Sequence, residues 1–359
     1  MSKKILFLTG SLNQTSQMYQ IALELGDFDC WFSQMFTDHR LVNFLKNKTP
    51  LLDKTIISEP HRKKAEAYLK ERSCAIDYGG HKHHYDLVVC CSDLIVPDML
   101  KQTKTVWIQE GMIDKLTPLS KIVKALNLPP TWCFNTSLNG STNQCDLYCA
   151  ASEGYRQYIA ELGTDPEKIW VTGTPNYDHA AQFLDNDFPH RDYVMVATTD
   201  MRETARPENR VRFIRHCVAI ATGRPLLFKL HPNENFKRAI KEIRQHTPEG
   251  TLIFTEGHTQ EMIANCSELI TQYSTVVYTG IALGKKVHSY FDIQQLKRLS
   301  PLQNGGTSAA RIAALCRGYI AFNGTGPEFL RQYRDREQPA ATEALVPYYR
   351  NEKEQSYAG

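Results

Sequence analysis

The chain of 359 residues is long enough for two domains of ordinary size, each with its own buried core. Its 42% of hydrophobic and 23% of charged residues exclude a disordered or fibrous protein, and the formal net charge of +3 indicates no nucleic-acid-binding surface. The apolar run at the amino terminus is too short for a signal peptide, and no run approaches the roughly 18 apolar residues of a membrane span. We therefore expect a cytoplasmic protein.

The cysteines and histidines give no sign of a disulfide framework or a metal site. The ten cysteines lack a regular spacing, and no second pair accompanies Cys145 and Cys149. The histidines of the loop Gly79–His84 lack the fixed geometry of ligands on a helix. We expect reduced thiols, no metal and no cofactor. His81 and its neighbours are either surface histidines or a cationic loop that contacts an anionic acceptor.

The first elements predict a doubly wound α/β domain. Lys4–Leu8 is a short apolar run typical of a buried parallel strand. Thr9–Asn13 forms the loop at its carboxyl end, and a helix is predicted from apolar residues at helical spacing: Met18, Ile21, Ala22 and Leu25.

The segment Asp38–Arg72 is basic, with nine lysines and arginines. Its simplest interpretation is a solvated helical face. A second interpretation is a surface that faces an acceptor or a membrane, because apolar residues such as Phe44 and Leu51 lie among the basic ones. Such a surface would suit an anionic, lipid-linked acceptor at the inner face of the membrane.

Two carboxylates follow predicted strands in the first half of the chain. Asp86–Cys91 is a strand with Asp93 at its exit, and Thr105–Ile108 is a strand followed by Gln109, Glu110 and Gly111. In an open parallel sheet, residues at the carboxyl ends of strands line the ligand crevice. Each carboxylate is either a crevice residue or part of a turn.

The chain divides into two predicted domains. Residues 1–175 form the first, which ends in a strand broken at Gly173 and Pro175. Residues 176–190 are a linker, and residues 191–325 form the second domain. In residues 326–359 we expect a helix that returns to the first domain and then a polar tail.

The second domain opens with Tyr193–Ala197, a strand that leads into a polar loop containing Thr199, Arg202 and Glu203. The planar fork of arginine matches a phosphate group. Arg202 therefore either binds phosphate or forms an exposed structural ion pair.

The stretch Leu226–Val287 is predicted to build a phosphate-binding crevice. Leu226–Leu230 is a strand that ends at His231 and Pro232, because proline stops the hydrogen-bond ladder. A later strand leads into Ser274 and Thr275, which precede a helix predicted over residues 276–283. Because carboxyl strand ends meet at one sheet edge, these side chains are expected to face a monophosphate or diphosphate ester.

This stretch resembles the donor half of GT-B nucleotide-sugar enzymes. The resemblance rests on Phe228–Pro232, the pair Ser274 and Thr275, and Ala282–Val287, in that order and spacing. Two branches are similar: UDP-N-acetylglucosamine 2-epimerases and the bacterial sialyl-, Kdo- and glycerophosphotransferases of surface polysaccharides. The resemblance implies a fold class of two Rossmann-like α/β domains facing a central cleft.

The resemblance also implies roles for individual residues. The loop Arg202–Thr204 resembles the arginine-glutamate-asparagine loop that holds donor phosphate and sugar. Asp93 resembles the aspartate of the epimerase glycine-aspartate loop, and Glu110 with Gly111 resembles acidic motifs of both branches, although neither match is complete. The first loop borders the cleft in such proteins, which makes its polar residues candidates for substrate contact: Gly10, Ser11 and Asn13.

The two branches differ in their acids. The epimerases carry a further acid in the segment matched by Trp132–Gly140, which has none here, and paired glutamates where this chain has Tyr278 and Thr279. We expect a metal-independent, inverting glycosyltransferase with Glu110 as base, or Asp93 in its place, and a CMP-, CDP- or UDP-activated donor. The acceptor is a surface glycan or glycolipid. The alternatives are a UDP-N-acetylglucosamine 2-epimerase and a non-catalytic nucleotide-sugar-binding protein of a polysaccharide assembly complex.

Overall fold

The structure is a computed structural model that describes residues 2–34, 59–133, 135–203 and 206–344. Across these ranges the chain forms two parallel β-sheets with helices on their faces, so the predicted α/β class is confirmed. Most of the predicted basic segment and the end of the polar tail lie outside the described residues. Within them, no helix combines the length and hydrophobicity needed to cross a membrane.

The first sheet has seven parallel strands among the described residues, in the order β3-β2-β1-β4-β5-β6-β7. The strands are β1 (Lys4–Thr9), β2 (Asp29–Gln34), β3 (Ala75–Ile76), β4 (Leu87–Cys90), β5 (Lys104–Ile108), β6 (Leu147–Ala150) and β7 (Ile169–Val171). The helices of this part are α1 (Leu12–Leu23), α2 (Glu59–Glu71), α3 (Pro118–Ala125) and α4 (Glu153–Leu162). The central strands are buried apolar runs, as expected for strands covered on both faces.

The second sheet has five parallel strands in the described chain, in the order β10-β9-β8-β11-β12. The strands are β8 (Tyr193–Ala197), β9 (Leu226–Lys229), β10 (Leu252–Phe254), β11 (Cys266–Thr271) and β12 (Lys286–His288). The helices that follow in the chain are α5 (Arg210–Ala221), α6 (Phe236–His246), α7 (Thr259–Asn265), α8 (Val277–Ala282), α9 (Ile293–Leu299), α10 (Ser308–Ala321) and α11 (Gly326–Ala344). The strand order reverses between β8 and β11, which is where open α/β sheets bind ligands.

Polar side chains set the starts of the helices that border these strand ends. Ser11 caps α1 in a capping box with Gln14, which satisfies two backbone N–H groups. Helix α5 begins at Arg210 because the side chain of Asn209 accepts a hydrogen bond from the backbone N–H of Arg212.

Helices α10 and α11 pack on the first sheet. The buried side chains of Ile312, Cys316 and Leu330 belong to the same apolar core as Ile5 and Phe7 of β1. The domain limits expected from the sequence stay a prediction. Those limits assign α10 to the second domain, whereas its side chains pack into the core of the first. Apolar periodicity marks the buried face of such a helix without saying which sheet it covers.

The two sheets are joined by contacts of α4 with α8 and α9. The hydroxyls of Tyr155 on α4 and Tyr278 on α8 lie 2.8 Å apart, and both side chains are buried. The hydroxyl of Ser152 donates to the backbone oxygen of Leu299, at 3.2 Å. Gly154 lies so close to Arg298 that a Cβ atom would be 2.0 Å from the backbone oxygen of Arg298.

The close approach at Gly154 gives a test of this junction. We expect Gly154→Ala to lower the free energy of unfolding by about 1–3 kcal/mol, because the added methyl overlaps backbone that cannot move freely. Gly26→Ala is the matched control, since its nearest heavy atom is 4.0 Å from the Cβ position. Urea denaturation of both variants measures the difference, and equal stabilities would contradict this packing.

Candidate active site

Glu110 lies at the carboxyl end of β5 and faces the start of α1. Its Oε1 accepts a hydrogen bond from the Ser11 hydroxyl at 3.4 Å, and its Oε2 accepts one from Nε2 of Gln14 at 3.0 Å. The structure thus brings together Glu110 and Ser11, two residues that the sequence had singled out separately. Gln14 was missed, although its place in the capping box was a signal that it points back toward the first loop.

The environment of Glu110 makes its carboxylate a stronger base than an ordinary glutamate. Burial raises the pKa of Glu110, and the hydrogen bonds from Gln14 and Ser11 oppose this increase only in part. Both donors are neutral, so no cation in these contacts balances the carboxylate charge.

The second domain approaches Glu110 through Thr275. A Cβ atom on Gly111 would lie 3.9 Å from both the Thr275 methyl and the Tyr177 hydroxyl. The Tyr177 hydroxyl and the Thr275 side chain thus approach the same point beside Glu110, whose charge acts on the Tyr177 phenol. Sequence reasoning missed Tyr177, because it lies in a segment predicted to be only a linker.

Both carboxylate oxygens of Asp93 accept hydrogen bonds within the first domain. Its Oδ1 accepts a hydrogen bond from the backbone N–H of Gly140 at 2.8 Å. Its Oδ2 accepts from the backbone N–H of Thr142 at 3.0 Å and from the hydroxyl of Thr142 at 2.8 Å. The residue is 4% exposed, and burial raises the pKa of Asp93 despite these bonds. Both carboxylate oxygens thus hold the turn that follows Asn139.

His231 lies at the end of β9 in a loop fixed by Glu234. The buried Glu234 carboxylate accepts hydrogen bonds from the backbone N–H of His231 at 2.9 Å, and also from the Thr198 hydroxyl and the Arg210 guanidinium. Arg210 is also paired with Glu208, at 3.0 Å. Charged groups from two segments, together with the neutral Thr198 hydroxyl, therefore hold the His231 backbone in place.

The His231 ring has one nitrogen engaged within the loop. The backbone N–H of Asn233 donates to Nδ1 at 3.3 Å, and the Asp200 carboxylate lies 3.6 Å from the same nitrogen. A neutral ring whose Nδ1 accepts this bond carries its proton on Nε2. The ring, 34% exposed, can then offer Nε2–H to a ligand.

Ion pairs with other parts of the second domain hold the charged side chains of the loop after β8. The Arg202 guanidinium forms a bidentate pair with Glu242, at 2.9 and 2.7 Å, and lies 3.3 Å from Glu208. Glu203 accepts from the backbone N–H of Asn235 and pairs with Arg238. Thr204 lies outside the described residues. The phosphate fork predicted for Arg202 is therefore occupied by a carboxylate in this structure.

Unpaired polar groups mark the switch point between β8 and β11. The hydroxyls of Thr199 and Thr271 and both amide atoms of Gln272 are buried and have no hydrogen-bond partner in the described part of the chain. Buried polar groups are normally satisfied, so this edge has capacity for a polar ligand or water. Gln272 was missed in the sequence because a polar residue ending a strand is common.

The pair Ser274 and Thr275 leads into α8, which has only six residues. The Ser274 hydroxyl lies 3.5 Å from the backbone nitrogen of Val276. Such a short helix adds little dipole, so the contribution of this pair rests on hydroxyl groups, and the predicted anion-binding helix terminus is weaker than expected.

The remaining candidates, Gly10, Asn13 and His81, lie in the first domain. Gly10 is buried at the end of β1, and Asn13 is exposed and accepts a hydrogen bond from Asn176 at its backbone oxygen, at 3.0 Å. His81 is exposed on the loop after β3, where its backbone N–H donates to Asp77. In the described residues, no group of His, Cys, Asp and Glu is arranged to hold a metal ion.

Comparisons with known proteins identify the fold. No protein-family model matches the sequence, and no curated protein does. A putative UDP-N-acetylglucosamine 2-epimerase from Listeria monocytogenes has 13% identity and a TM-score of 0.55, covering 90% of this chain and 98% of that one. The MnaA structure with UDP from S. aureus has 12% identity and a TM-score of 0.51, covering 89% and 97%.

A third solved structure agrees with these two. UDP-GlcNAc 2-epimerase from Neisseria meningitidis, bound to UDP-GlcNAc, has 11% identity and a TM-score of 0.51 over 88% of this chain and 99% of that chain. At such identities the likeness shows the fold alone. The chain has the GT-B fold, and its resemblance to epimerase-like proteins of that fold is confirmed.

The Arg210–Glu234 pair gives a test of how the site is braced. We expect Glu234→Gln to lower the free energy of unfolding by about 3 kcal/mol, because it leaves part of a buried guanidinium charge unpaired. Asp98→Asn, which breaks an exposed pair with Lys101, is expected to cost less than about 1 kcal/mol. Urea denaturation compares the variants, and equal losses would contradict a bracing role for Glu234.

Proposed function

We propose that this protein is a nucleotide-sugar-dependent glycosyltransferase that works by inversion and without a metal. The observation that carries the proposal is the position of Glu110. Its carboxylate has a raised pKa and two neutral donors, and it lies beside the loop of Thr275 from the other domain. A base that removes the acceptor proton belongs in such a position between donor and acceptor domains.

In this mechanism the acceptor oxygen attacks the anomeric carbon while the bond to the donor phosphate breaks. Glu110 takes the acceptor proton, and the electron pair of the broken bond stays on the phosphate oxygen. Thr199, His231, Ser274 and Thr275 are the proposed donors to that oxygen and its neighbours, because charge develops there in the transition state. Arg202 joins them only if ligand binding draws it from Glu242. Glu203, which as a carboxylate accepts hydrogen bonds, is instead proposed to accept one from a hydroxyl of the donor if it leaves Arg238.

The engagement of Asp93 favours a transferase. An inverting transferase needs one base, whereas an epimerase must move a proton on and off a carbon atom and therefore needs more than one group. The Asp93 oxygens already accept three hydrogen bonds from Gly140 and Thr142, and Trp132–Gly140 contains no acid. Neither Asp93 nor the segment Trp132–Gly140 therefore offers Glu110 a second acid to share this work.

The second candidate is a UDP-N-acetylglucosamine 2-epimerase. It is favoured by the fold, since the three solved structures compared above are of epimerases or carry UDP. An epimerase would act on its nucleotide sugar with no acceptor present, which separates the two candidates. A surface glycan or glycolipid acceptor, and work at the cytoplasmic side of a membrane, are further parts of the proposal that rest on the sequence.

The role of Glu110 predicts a pH-dependent loss of activity. We expect Glu110→Gln to lower kcat/KM by about 10²–10⁴-fold, because the amide cannot accept the acceptor proton. In the wild-type protein, kcat/KM should rise with pH through the raised pKa of Glu110, and this limb should disappear in the variant. Glu153→Gln, in an exposed pair with Arg156, is the control and should keep wild-type activity. Unchanged turnover in Glu110→Gln would favour a non-catalytic binding protein.

The same variant makes a prediction about stability. Because burial raises the pKa of Glu110, its favourable contribution is present at low pH and is lost as pH rises through the folded-state pKa. Glu110→Gln should therefore melt at or above the wild-type temperature at neutral pH. The difference should close as pH falls toward the ordinary glutamate value of about 4.3. A variant that melts well below the wild type at neutral pH would contradict the buried, unbalanced charge.

Nucleotide binding can be tested without knowledge of the acceptor. We expect CMP, CDP, UDP, UDP-N-acetylglucosamine or a CMP-ulosonic acid to raise the melting temperature, since a ligand of the native state stabilises it as occupancy increases. His231→Ala should lose this shift. His246→Ala, at the other end of α6, should keep it. A shift confined to UDP ligands would favour the epimerase, and no shift with any of them would overturn the nucleotide-sugar proposal.

A further inference from the structure

Tyr177 is held between the two domains by its backbone and its ring. Its backbone N–H donates to the oxygen of Thr174 at 3.0 Å, and its backbone oxygen accepts from Nε2 of Gln303 at 2.5 Å. The ring lies edge-on to that of Tyr278, with centroids 6.4 Å apart. These contacts fix the direction of the phenol without using its hydroxyl.

The hydroxyl of Tyr177 points to the place where Glu110 and Thr275 approach each other. It would lie 3.9 Å from a Cβ atom on Gly111, the residue next to Glu110, and the Thr275 methyl would lie at the same distance from that atom. A sugar bound between Glu110 and the Thr275 loop would lie beside this hydroxyl.

The phenol stays protonated in this position. Burial, together with the nearby Glu110 carboxylate, raises the pKa of Tyr177 to about 12. A neutral phenol can donate a hydrogen bond next to a carboxylate that would repel an anion.

We infer that Tyr177 is a further catalytic residue, which donates a hydrogen bond to the phosphate oxygen that leaves the anomeric carbon. This inference rests on the proposed glycosyltransferase function. The bond between the acceptor oxygen and the anomeric carbon forms, the bond to the phosphate oxygen breaks, and the acceptor proton goes to Glu110. Tyr177 keeps its proton throughout and stabilises the charge that develops on the leaving oxygen.

The test is Tyr177→Phe, which removes only the hydroxyl. Tyr158→Phe is the matched control, because it also loses one hydroxyl bond, to the backbone oxygen of Asp114 at 3.2 Å, but lies on α4. The assay measures release of free nucleotide from UDP-N-acetylglucosamine or a CMP-ulosonic acid, with a bacterial glycan extract as acceptor. We expect kcat to fall about 10²-fold in Tyr177→Phe, the loss that follows removal of one transition-state donor.

Three further readouts separate catalysis from structure. In Tyr177→Phe we expect a nearly unchanged KM, an unchanged rise of melting temperature with nucleotide, and a rising pH limb that Glu110 still sets. A structural tyrosine would instead lower the melting temperature and the nucleotide shift together, and that result would overturn the inference.

The wild-type protein separates the failure of this inference from that of the proposed function. If wild-type protein releases nucleotide and Tyr177→Phe has the same kcat, the inference alone is overturned. If wild-type protein releases none from any donor, the proposed function is overturned and the role of Tyr177 with it.

Discussion

The buried ion pair of Arg210 and Glu234 is the constraint on which the second domain's ligand edge depends. Both side chains are almost fully buried, at 2% and 1% exposure. Charges in such surroundings are stable only when paired and hydrogen-bonded, so their partners cannot drift. The partners are the Thr198 hydroxyl at the end of β8 and the backbone of His231 at the end of β9. Two strand ends and the first turn of α5 are thereby fixed relative to one another.

The first domain handles its buried carboxylate in the opposite way. Glu110 receives hydrogen bonds from the neutral groups of Ser11 and Gln14 and no ion pair. A carboxylate held in this way keeps its geometry but stays costly to ionise, which raises its pKa. The difference separates a residue with a structural role from the residue proposed as the base. Both oxygens of Glu234 accept hydrogen bonds from protein groups, whereas a ligand that donates a proton or hydrogen bond to Glu110 would stabilise its carboxylate.

The sequence was sufficient to predict the strands, their parallel arrangement and which polar residues follow them, because short apolar runs and breaking residues act locally. Ser11, Glu110, His231 and Thr275 all lie where strand ends were expected. It was not sufficient for contacts between distant segments. The hydrogen bonds of Asp93 reach residues 47 and 49 positions away, and Arg202 pairs with Glu242, 40 positions away. Tyr177 lies in a segment without periodicity, so only the folded chain shows that it meets Thr275.

One short helix, α8, sets both the junction of the domains and the distance from Thr275 to Glu110. Tyr278 on α8 contacts Tyr155, and its backbone N–H donates to the oxygen of Thr275 at 3.0 Å. Thr275 therefore cannot move away from Glu110 without disturbing the buried pair of hydroxyls, each of which would lose its partner. Because an unsatisfied buried hydroxyl costs about 1–3 kcal/mol, the arrangement favours keeping Thr275 close to Glu110. If the two domains rotated apart about this junction, water would have to replace the hydrogen bond between Tyr155 and Tyr278. A ligand bound at Thr275 would influence such a rotation through α8.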